Sequence, residues 1–293
     1  MKFNKFSPVV AGTMKWGSWG AKFNADDYLA MIRHCIACGV TTFDHADIYG
    51  HYSVEEEFGK ALKLDTSLRS KIQLISKCGI MMLSPNRKEY TIKHYDTSAA
   101  HIRASVERSL INLHTDYLDV LLLHRPDPLM DAEEVCEIFT ALKKEGKVLD
   151  FGVSNFTVSQ VALIHAFFPI ITNQVEISII TLEPFLDGTL DQCQKAGIIP
   201  MAWSPLGGGN IFNSTEERDK RIVAVAQILA SKYNCSPSQI LLTWLLQHPA
   251  KILPVLGTAK ADRIKEAVNA VSLRLTREEW FMLWRASTGK EVA

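Results

Sequence analysis

The sequence predicts an α/β fold, a (β/α)8 TIM barrel with extra helices near the C-terminus. Three observations carry that expectation. Short, almost wholly apolar runs recur along the 293 residues, as strands covered on both faces require. Each run is followed by a longer stretch of helical period. Eight such pairs occur in succession, the signature of a closed parallel barrel. A doubly wound sheet usually carries Gly-x-Gly-x-x-Gly after its first strand. Here the first strand runs into Gly12-Thr13-Met14-Lys15-Trp16-Gly17, which lacks that spacing. No linker rich in Pro, Gly or Ser divides the chain. Residues 1–293 are therefore expected to form one barrel domain, with the tail of residues 271–293 packing near the barrel.

The elements follow in order. Residues 8–13 read as the first strand. Residues 26–38 read as a helix with Leu29, Ile32 and Ile36 on one face and Gly39 as its stop. Residues 40–43 are the second strand and 54–64 the second helix; the run Glu55-Glu56-Glu57 after Ser53 reads as the first turn of a capped helix. Residues 72–76 are the third strand. Thr97 or Ser98 can cap a helix that carries Ile102, Val106, Leu110 and Leu113 on one face. Residues 118–123 are the fourth strand, and Asp131 caps a helix presenting Val135, Ile138 and Leu142. Residues 148–153 and 157–168 form the fifth pair, 171–175 and 186–196 the sixth. Residues 198–202 are the seventh strand. An extra helix, 217–233, precedes the one opened by Ser236-Pro237, where Pro suits the first helical position. Residues 252–255 and 262–270 complete the eighth pair, and 277–286 add a final helix.

Composition excludes several classes. The chain is 47% apolar, and 32 Lys+Arg balance 32 Asp+Glu. That is too apolar and too charge-balanced for a disordered chain. It also argues against a surface devoted wholly to nucleic acid or anionic membrane, while leaving room for a local basic pocket. No stretch approaches ~18 uninterrupted apolar residues, and Pro8-Val9-Val10-Ala11 is too short for a signal-peptide core. A cytoplasmic protein is expected. Its six cysteines are spread along the chain, as suits a reducing compartment. Cys35 and Cys38 form a C-x-x-C, but near the end of a helix rather than its start. They read as small, part-buried helix residues.

In such a barrel the active site lies at the C-terminal ends of the strands. Asp44, His45 and Asp47 follow the second strand, with Tyr49 close behind. Lys77 follows the third and His124 the fourth. Ser154 and Asn155 follow the fifth, and Asn173, Gln174 and Glu176 lie on or after the sixth. Trp203 and Ser204 follow the seventh, Gly257 and Thr258 the eighth. Asp, Tyr, Lys and His from three neighbouring strand ends can converge. A Tyr with its usual pKa of ~10 is a poor acid–base catalyst at neutral pH. A nearby Lys ammonium favours the phenolate and lowers that pKa. An Asp paired to the Lys keeps the ammonium in place, and a His can donate to a substrate oxygen. Any one of these alone reads more readily as packing or surface; four at consecutive strand ends point to catalysis.

The words around these residues resemble the aldo-keto reductase family. They are Thr42-Phe43-Asp44-His45-Ala46-Asp47-Ile48-Tyr49-Gly50, Leu74-Ile75-Ser76-Lys77, Leu121-Leu122-Leu123-His124-Arg125-Pro126-Asp127, Gly152-Val153-Ser154-Asn155-Phe156, Asn173-Gln174-Val175-Glu176 and Ala202-Trp203-Ser204-Pro205-Leu206-Gly207. They stand in the family's order and cover the chain from Gly12 to Arg263. Asp44-His45-Ala46-Asp47, Ser76-Lys77-Cys78-Gly79 and His124-Arg125-Pro126-Asp127-Pro128 are most similar to the bacterial YdhF-type oxidoreductase branch. The resemblance implies carbonyl reduction by hydride from C4 of a reduced nicotinamide. Tyr49 would be the general acid, Lys77 and Asp44 would tune it, and His124 would position the carbonyl. It implies cofactor contacts at Thr13, Met14, Asp44, Ser154, Asn155, Gln174, Trp203, Ser204 and Leu206. Trp203 takes the place of the family's usual stacking Tyr, which keeps the π face. Gly207-Gly208-Gly209 would lie over the pyrophosphate. At the 2′-phosphate, Gly257 replaces the usual Lys, Thr258 stands at the Ser position and Arg263 at the Arg. Lys260 either supplies the missing charge or is a solvated helix-start residue. NADPH (NADP+) is preferred, with NADH as the alternative cofactor.

Two rival readings remain. Asp44, His45, Asp47, His51 and His124 are ligand types for a metal-dependent hydrolase, but no H-x-H or H-E-x-x-H occurs, a metal would leave Tyr49 and Lys77 without a task, and no metal is expected. A nicotinamide-binding regulatory or redox-sensing subunit would use the same fold with little turnover. Specificity is expected in residues 16–24, 81–95 and 125–130 and in the tail with Trp280 and Trp284, whose aromatic content implies a carbonyl with apolar groups. The expected partner is a small-molecule carbonyl substrate, without nucleic acid or membrane. The expected state is a monomer or weak dimer.

Overall fold

The eight apolar runs pair side by side into one closed sheet. The computed structural model describes residues 5–292; residues 1–4 and 293, at the ends of the expected domain, lie outside the described residues. The strands are β1 (Val10–Gly12), β2 (Thr42–Asp44), β3 (Gln73–Cys78), β4 (Ile80–Met81), β5 (His94–Tyr95), β6 (Leu118–Leu123), β7 (Val148–Ser154), β8 (Thr172–Glu176), β9 (Ile199–Trp203) and β10 (Leu253–Leu256). The barrel runs β1-β2-β3-β6-β7-β8-β9-β10, with every neighbouring pair parallel. It closes where Val10 meets Val255 and Ala11 meets Leu256. β4 and β5 form an antiparallel hairpin outside the barrel. Two-residue strands carry no readable period, so the sequence shows this segment only as a loop.

Most barrel strands end one or two residues later than their apolar runs. β3 includes Lys77 and Cys78, β7 includes Ser154, β8 includes Glu176 and β9 includes Trp203. The ladder continues through Lys77, Ser154, Glu176 and Trp203, polar or part-exposed residues at the barrel mouth, whereas Cys78 turns outward and is buried with Leu74 in the outer core. Hydrophobicity therefore marks the covered length of a strand rather than its hydrogen-bonded length.

Alternation sorts side chains between two cores. Val10, Ile75, Val120, Leu122, Ile199, Met201 and Val255 form one cluster with Phe6, which fills the barrel interior. Their strand neighbours Leu74, Leu121, Leu123, Phe151 and Val153 face outward against Ile32, Phe58, Val106, Phe139 and Ile164 of the helices. The caps follow the sequence closely. Ser98 rather than Thr97 caps Ala99–Leu113, Asp131 caps Ala132–Lys144, Thr157 caps Val158–Phe167 and Ser236 caps Pro237–Leu246. The helix expected over residues 186–196 is instead two, Glu183–Leu186 and Thr189–Ala196, broken where Gly188 takes φ 88°.

Two tryptophan expectations change. Trp16 is no pocket wall: it is wholly buried among Phe23, Tyr28, Phe43 and Phe58, and its Nε1 donates to Thr258 O at 2.9 Å. Trp280, on the final helix Arg277–Thr288, stacks on Trp244 at 4.7 Å and on Trp284 at 5.7 Å. These rings weld the last helix to Pro237–Leu246 by stacking and by reciprocal hydrogen bonds, Trp244 Nε1 to Trp280 O at 3.1 Å and Trp280 Nε1 to Trp244 O at 3.0 Å.

One helix crossing is unusually tight. A Cβ on Gly59, in Val54–Leu64, would sit 1.9 Å from the Asn112 carbonyl oxygen in Ala99–Leu113. Gly59→Ala must push the two helices apart, and overpacking of this kind costs about 3 kcal/mol. Urea unfolding should show that loss, whereas Gly257→Ala, with nothing near its Cβ, should leave the midpoint unchanged.

Candidate active site

Lys77 reaches the barrel mouth because it stands two residues beyond Ile75 on β3 and shares its inward face. Asp44 ends β2, beside Ile75 in register. Tyr49 is delivered by a sharp turn, with Gly50, His51 and Tyr52 at φ 59°, 61° and 69°. Glycine suits the first of these, since a Cβ there would lie 2.8 Å from the Val54 side chain.

These residues meet at one nitrogen. Lys77 Nζ donates to Asp44 Oδ2 at 2.8 Å, to Tyr49 OH at 2.9 Å and to His45 O at 2.8 Å. Lys77 is 1% and Asp44 2% exposed, so all three ammonium hydrogens find acceptors inside the protein. Burial opposes the charge, but Asp44 and Tyr49 outweigh it and hold the Lys77 pKa above the ordinary lysine value. For Tyr49 the sequence argument expects a lowered pKa. Lys77 does pull it down, yet burial is the larger effect and Asp44 adds to it, so the phenol sits above its ordinary value. The imidazole of His124 lies edge-on to Tyr49, with ring centres 6.0 Å apart. Burial, then Lys77, Arg125 and Lys93, push its pKa well below the usual range. His124 is therefore neutral, and its buried Nδ1 has no hydrogen-bond partner among the described residues.

A second chain of bonds continues from Asp44. Gln174 Nε2 donates to Asp44 Oδ1 at 2.8 Å. Ser154 Oγ donates to Gln174 O at 2.9 Å, Asn155 Nδ2 to Ser154 Oγ at 2.8 Å, and Trp203 Nε1 to Asn155 Oδ1 at 2.9 Å. Asn155 and Ser204 take φ 60° and 49° at the ends of β7 and β9, the kind of backbone strain that gathers at functional sites. The mouth thus brings together Asp44, Tyr49, Lys77, His124, Ser154, Asn155, Gln174 and Trp203.

Other expected residues lie outside this network. Thr13 is buried with its hydroxyl committed to Asp44 O at 3.0 Å and His45 Nδ1 at 3.0 Å. Met14 packs with Ile48 and Tyr49. His45 turns outward onto Phe58, ring centres 4.4 Å apart, and burial followed by Lys77 pushes its pKa down to about 3. Among the described residues no group of three or more His, Cys, Asp or Glu is placed to hold a metal ion. Leu206 packs against two cores, and Gly207, Gly208 and Gly209 form a left-handed turn after β9. Lys260 stands at the N-terminus of Ala261–Asn269, and its N–H donates to Thr258 Oγ1 at 3.1 Å. Lys260 and Arg263 are exposed, and neither side chain forms an ion pair among the described residues.

Glu55 was missed as part of the support. Its first turn is not capped by Ser53, whose hydroxyl donates instead to Gly50 O at 2.7 Å. The buried Glu55 accepts from Ser76 at 2.5 Å and Ser109 at 3.1 Å. Ser76 points away from the barrel mouth, opposite Lys77, so Glu55 anchors the strand that carries Lys77. A single Glu in an acidic run gives no sign of this in sequence.

Comparison with known proteins agrees with the geometry. A model of the Aldo/keto reductase family matches residues 8–286. The chain is 46% identical to the uncharacterized oxidoreductase YcsN of Bacillus subtilis, over 98% of this chain and 96% of that protein. It is 45% identical to the oxidoreductase YdhF of Escherichia coli, again over 98% and 96%. An aldo/keto reductase from Klebsiella pneumoniae, solved in complex with NADP and acetate, superposes with a TM-score of 0.77 at 25% identity, covering 95% of this chain and 90% of that one. The chain belongs to the aldo/keto reductase family.

Proposed function

We propose that this chain reduces an aldehyde or ketone to the alcohol with NADPH, using Tyr49 as general acid. The observation that carries the reading is the buried Lys77 ammonium shared between Asp44 and Tyr49. The reading also takes the free state of the six cysteines as suited to a reducing, cytoplasmic setting.

The donor set at the mouth fits a nicotinamide. Ser154, Asn155 and Gln174 supply a hydroxyl and two side-chain amides for a carboxamide, each amide NH2 using one hydrogen within the chain. Half-buried Trp203, steadied through Nε1, offers a ring face for stacking. In this reading Leu206 and the turn over Gly207, Gly208 and Gly209 would cover the cofactor's pyrophosphate, and the helix start at Lys260 would take its 2′-phosphate. There Thr258, Lys260, Arg263 and the N-terminus of Ala261–Asn269 suit a phosphate. When bound, a reduced nicotinamide supplies hydride to the carbonyl carbon.

The chain's own residues manage the proton. Burial keeps Tyr49 protonated until it is needed. As negative charge grows on the carbonyl oxygen, the Tyr49 O–H gives it a proton, completing the alcohol. Lys77 then stabilises the phenolate left behind. Asp44, held from its other side by Gln174, keeps the ammonium charged and in place. Neutral His124 can offer one N–H to the carbonyl oxygen without competing for the Tyr49 proton.

Tyr49→Phe should bind NADPH as the native protein does and lose at least about 100-fold in kcat for a panel of aldehydes and ketones. Undiminished turnover would defeat Tyr49 as the acid. Tight NADPH binding with no turnover of any carbonyl by the native protein would favour the redox-sensing reading.

Cofactor choice is tested at the helix start. Arg263→Ala should weaken NADPH at least about tenfold and NADH far less, because only NADPH carries the 2′-phosphate. Gly257 has open space where a side chain would begin. Gly257→Lys should therefore tighten NADPH selectively in a nicotinamide-fluorescence titration. Equal effects on both cofactors would overturn the phosphate assignment.

A further inference from the structure

Charge around His124 is lopsided. Arg125 follows it directly at the end of β6, half-buried, with its guanidinium carbon 5.9 Å from the centre of the Trp203 ring. Among the described residues Arg125 forms neither an ion pair nor a side-chain hydrogen bond. Glu176, level with Trp203 across β8 and β9, feels Arg125 but does not pair with it. Lys93, just before β5, also acts on His124; it is exposed and forms no ion pair among the described residues. Lys77 differs, since Asp44 already balances it.

Partial burial of a guanidinium without a carboxylate is unfavourable, and a face-on aromatic offsets only part of the cost. Such a group retains a planar fork of donors suited to a carboxylate. It stands one residue from the imidazole that faces Tyr49. The mouth therefore differs from the apolar pocket that loop composition implies.

We propose that the carbonyl substrate is an oxo acid whose carboxylate is held by Arg125 while its carbonyl lies between Tyr49 and His124. This rests on the reductase reading of the same site. Lys93 adds long-range attraction for the anion rather than a fixed contact.

The test compares succinic semialdehyde with its neutral amide, using NADPH and the native protein, Arg125→Gln and Arg125→Lys. The native protein should favour the acid by at least about tenfold in kcat/KM, mainly through KM. Arg125→Gln should abolish the ratio and Arg125→Lys should restore part of it. Calorimetry of 4-hydroxybutyrate binding to the NADP+-loaded protein reads the anion site without turnover. It should show at least tenfold weaker binding in Arg125→Gln. Reduction of both aldehydes with the same ratio in native and Arg125→Gln proteins would overturn the carboxylate site and leave the reductase reading intact. No reduction of either aldehyde, with 4-hydroxybutyrate still bound through Arg125, would do the reverse. Equal 4-hydroxybutyrate binding by the native and Arg125→Gln proteins would overturn the carboxylate site whatever the rates.

Discussion

A buried ammonium organises the mouth of this barrel. Taking Lys77 out of water is costly, and only full coordination makes it tolerable. Asp44, Tyr49 and the His45 carbonyl provide that coordination from β2 and the turn after it. Losing Asp44 would leave an uncompensated charge, at about 3–5 kcal/mol. Satisfying one nitrogen thus ties the end of β2, the tight turn through Gly50 and the Tyr49 hydroxyl to β3, which the backbone ladder already holds beside β2. Gln174 extends the constraint across the mouth to β8, and Ser154, Asn155 and Trp203 carry it to β7 and β9.

The two sides of β3 illustrate how fold and site share one strand. Ile75 and Lys77 face inward, one filling the barrel and the other serving the mouth. Ser76 faces outward and is gripped by Glu55 from the helix layer. The packing that holds helix Val54–Leu64 in place also sets the height of Lys77. Gly59 at the neighbouring helix crossing belongs to the same arrangement, because it lets that helix sit close to Ala99–Leu113.

Much of this was legible in sequence, for identifiable reasons. Apolar runs and caps such as Asp131, Thr157 and Ser236 carry local signals, so the order of elements and most boundaries can be read. Polar residues at strand ends are exceptional enough to reveal Asp44, Lys77 and His124. Strand ends themselves were placed short, because hydrophobicity stops where the mouth begins. Trp16, Trp280 and Trp284 pack into cores, as any Trp taken alone most readily does; an aromatic residue in a loop or tail gives no sign in sequence of whether a core lies behind it. The sign of the Tyr49 shift was misread too: a neighbouring Lys is visible in sequence, but the burial that outweighs it is not. Glu55 escapes for the same cause, because its role depends on Ser76 and Ser109, partners that only folding brings near.

The central claim is that burial, against the pull of Lys77, keeps the Tyr49 proton on its oxygen across the physiological range. The most direct measurement is the pH profile of kcat/KM for carbonyl reduction, with the equilibrium ionisation of Tyr49 followed by ultraviolet difference against Tyr49→Phe. An acid catalyst fails as pH rises through its pKa. With that pKa above the ordinary tyrosine value, Tyr49 should impose no alkaline break at neutral pH, and no tyrosinate should be assignable to it below pH ~10. A tyrosinate signal near neutrality, absent in Tyr49→Phe and matched by a fall in rate, would show that Lys77 prevails over burial and would contradict the account.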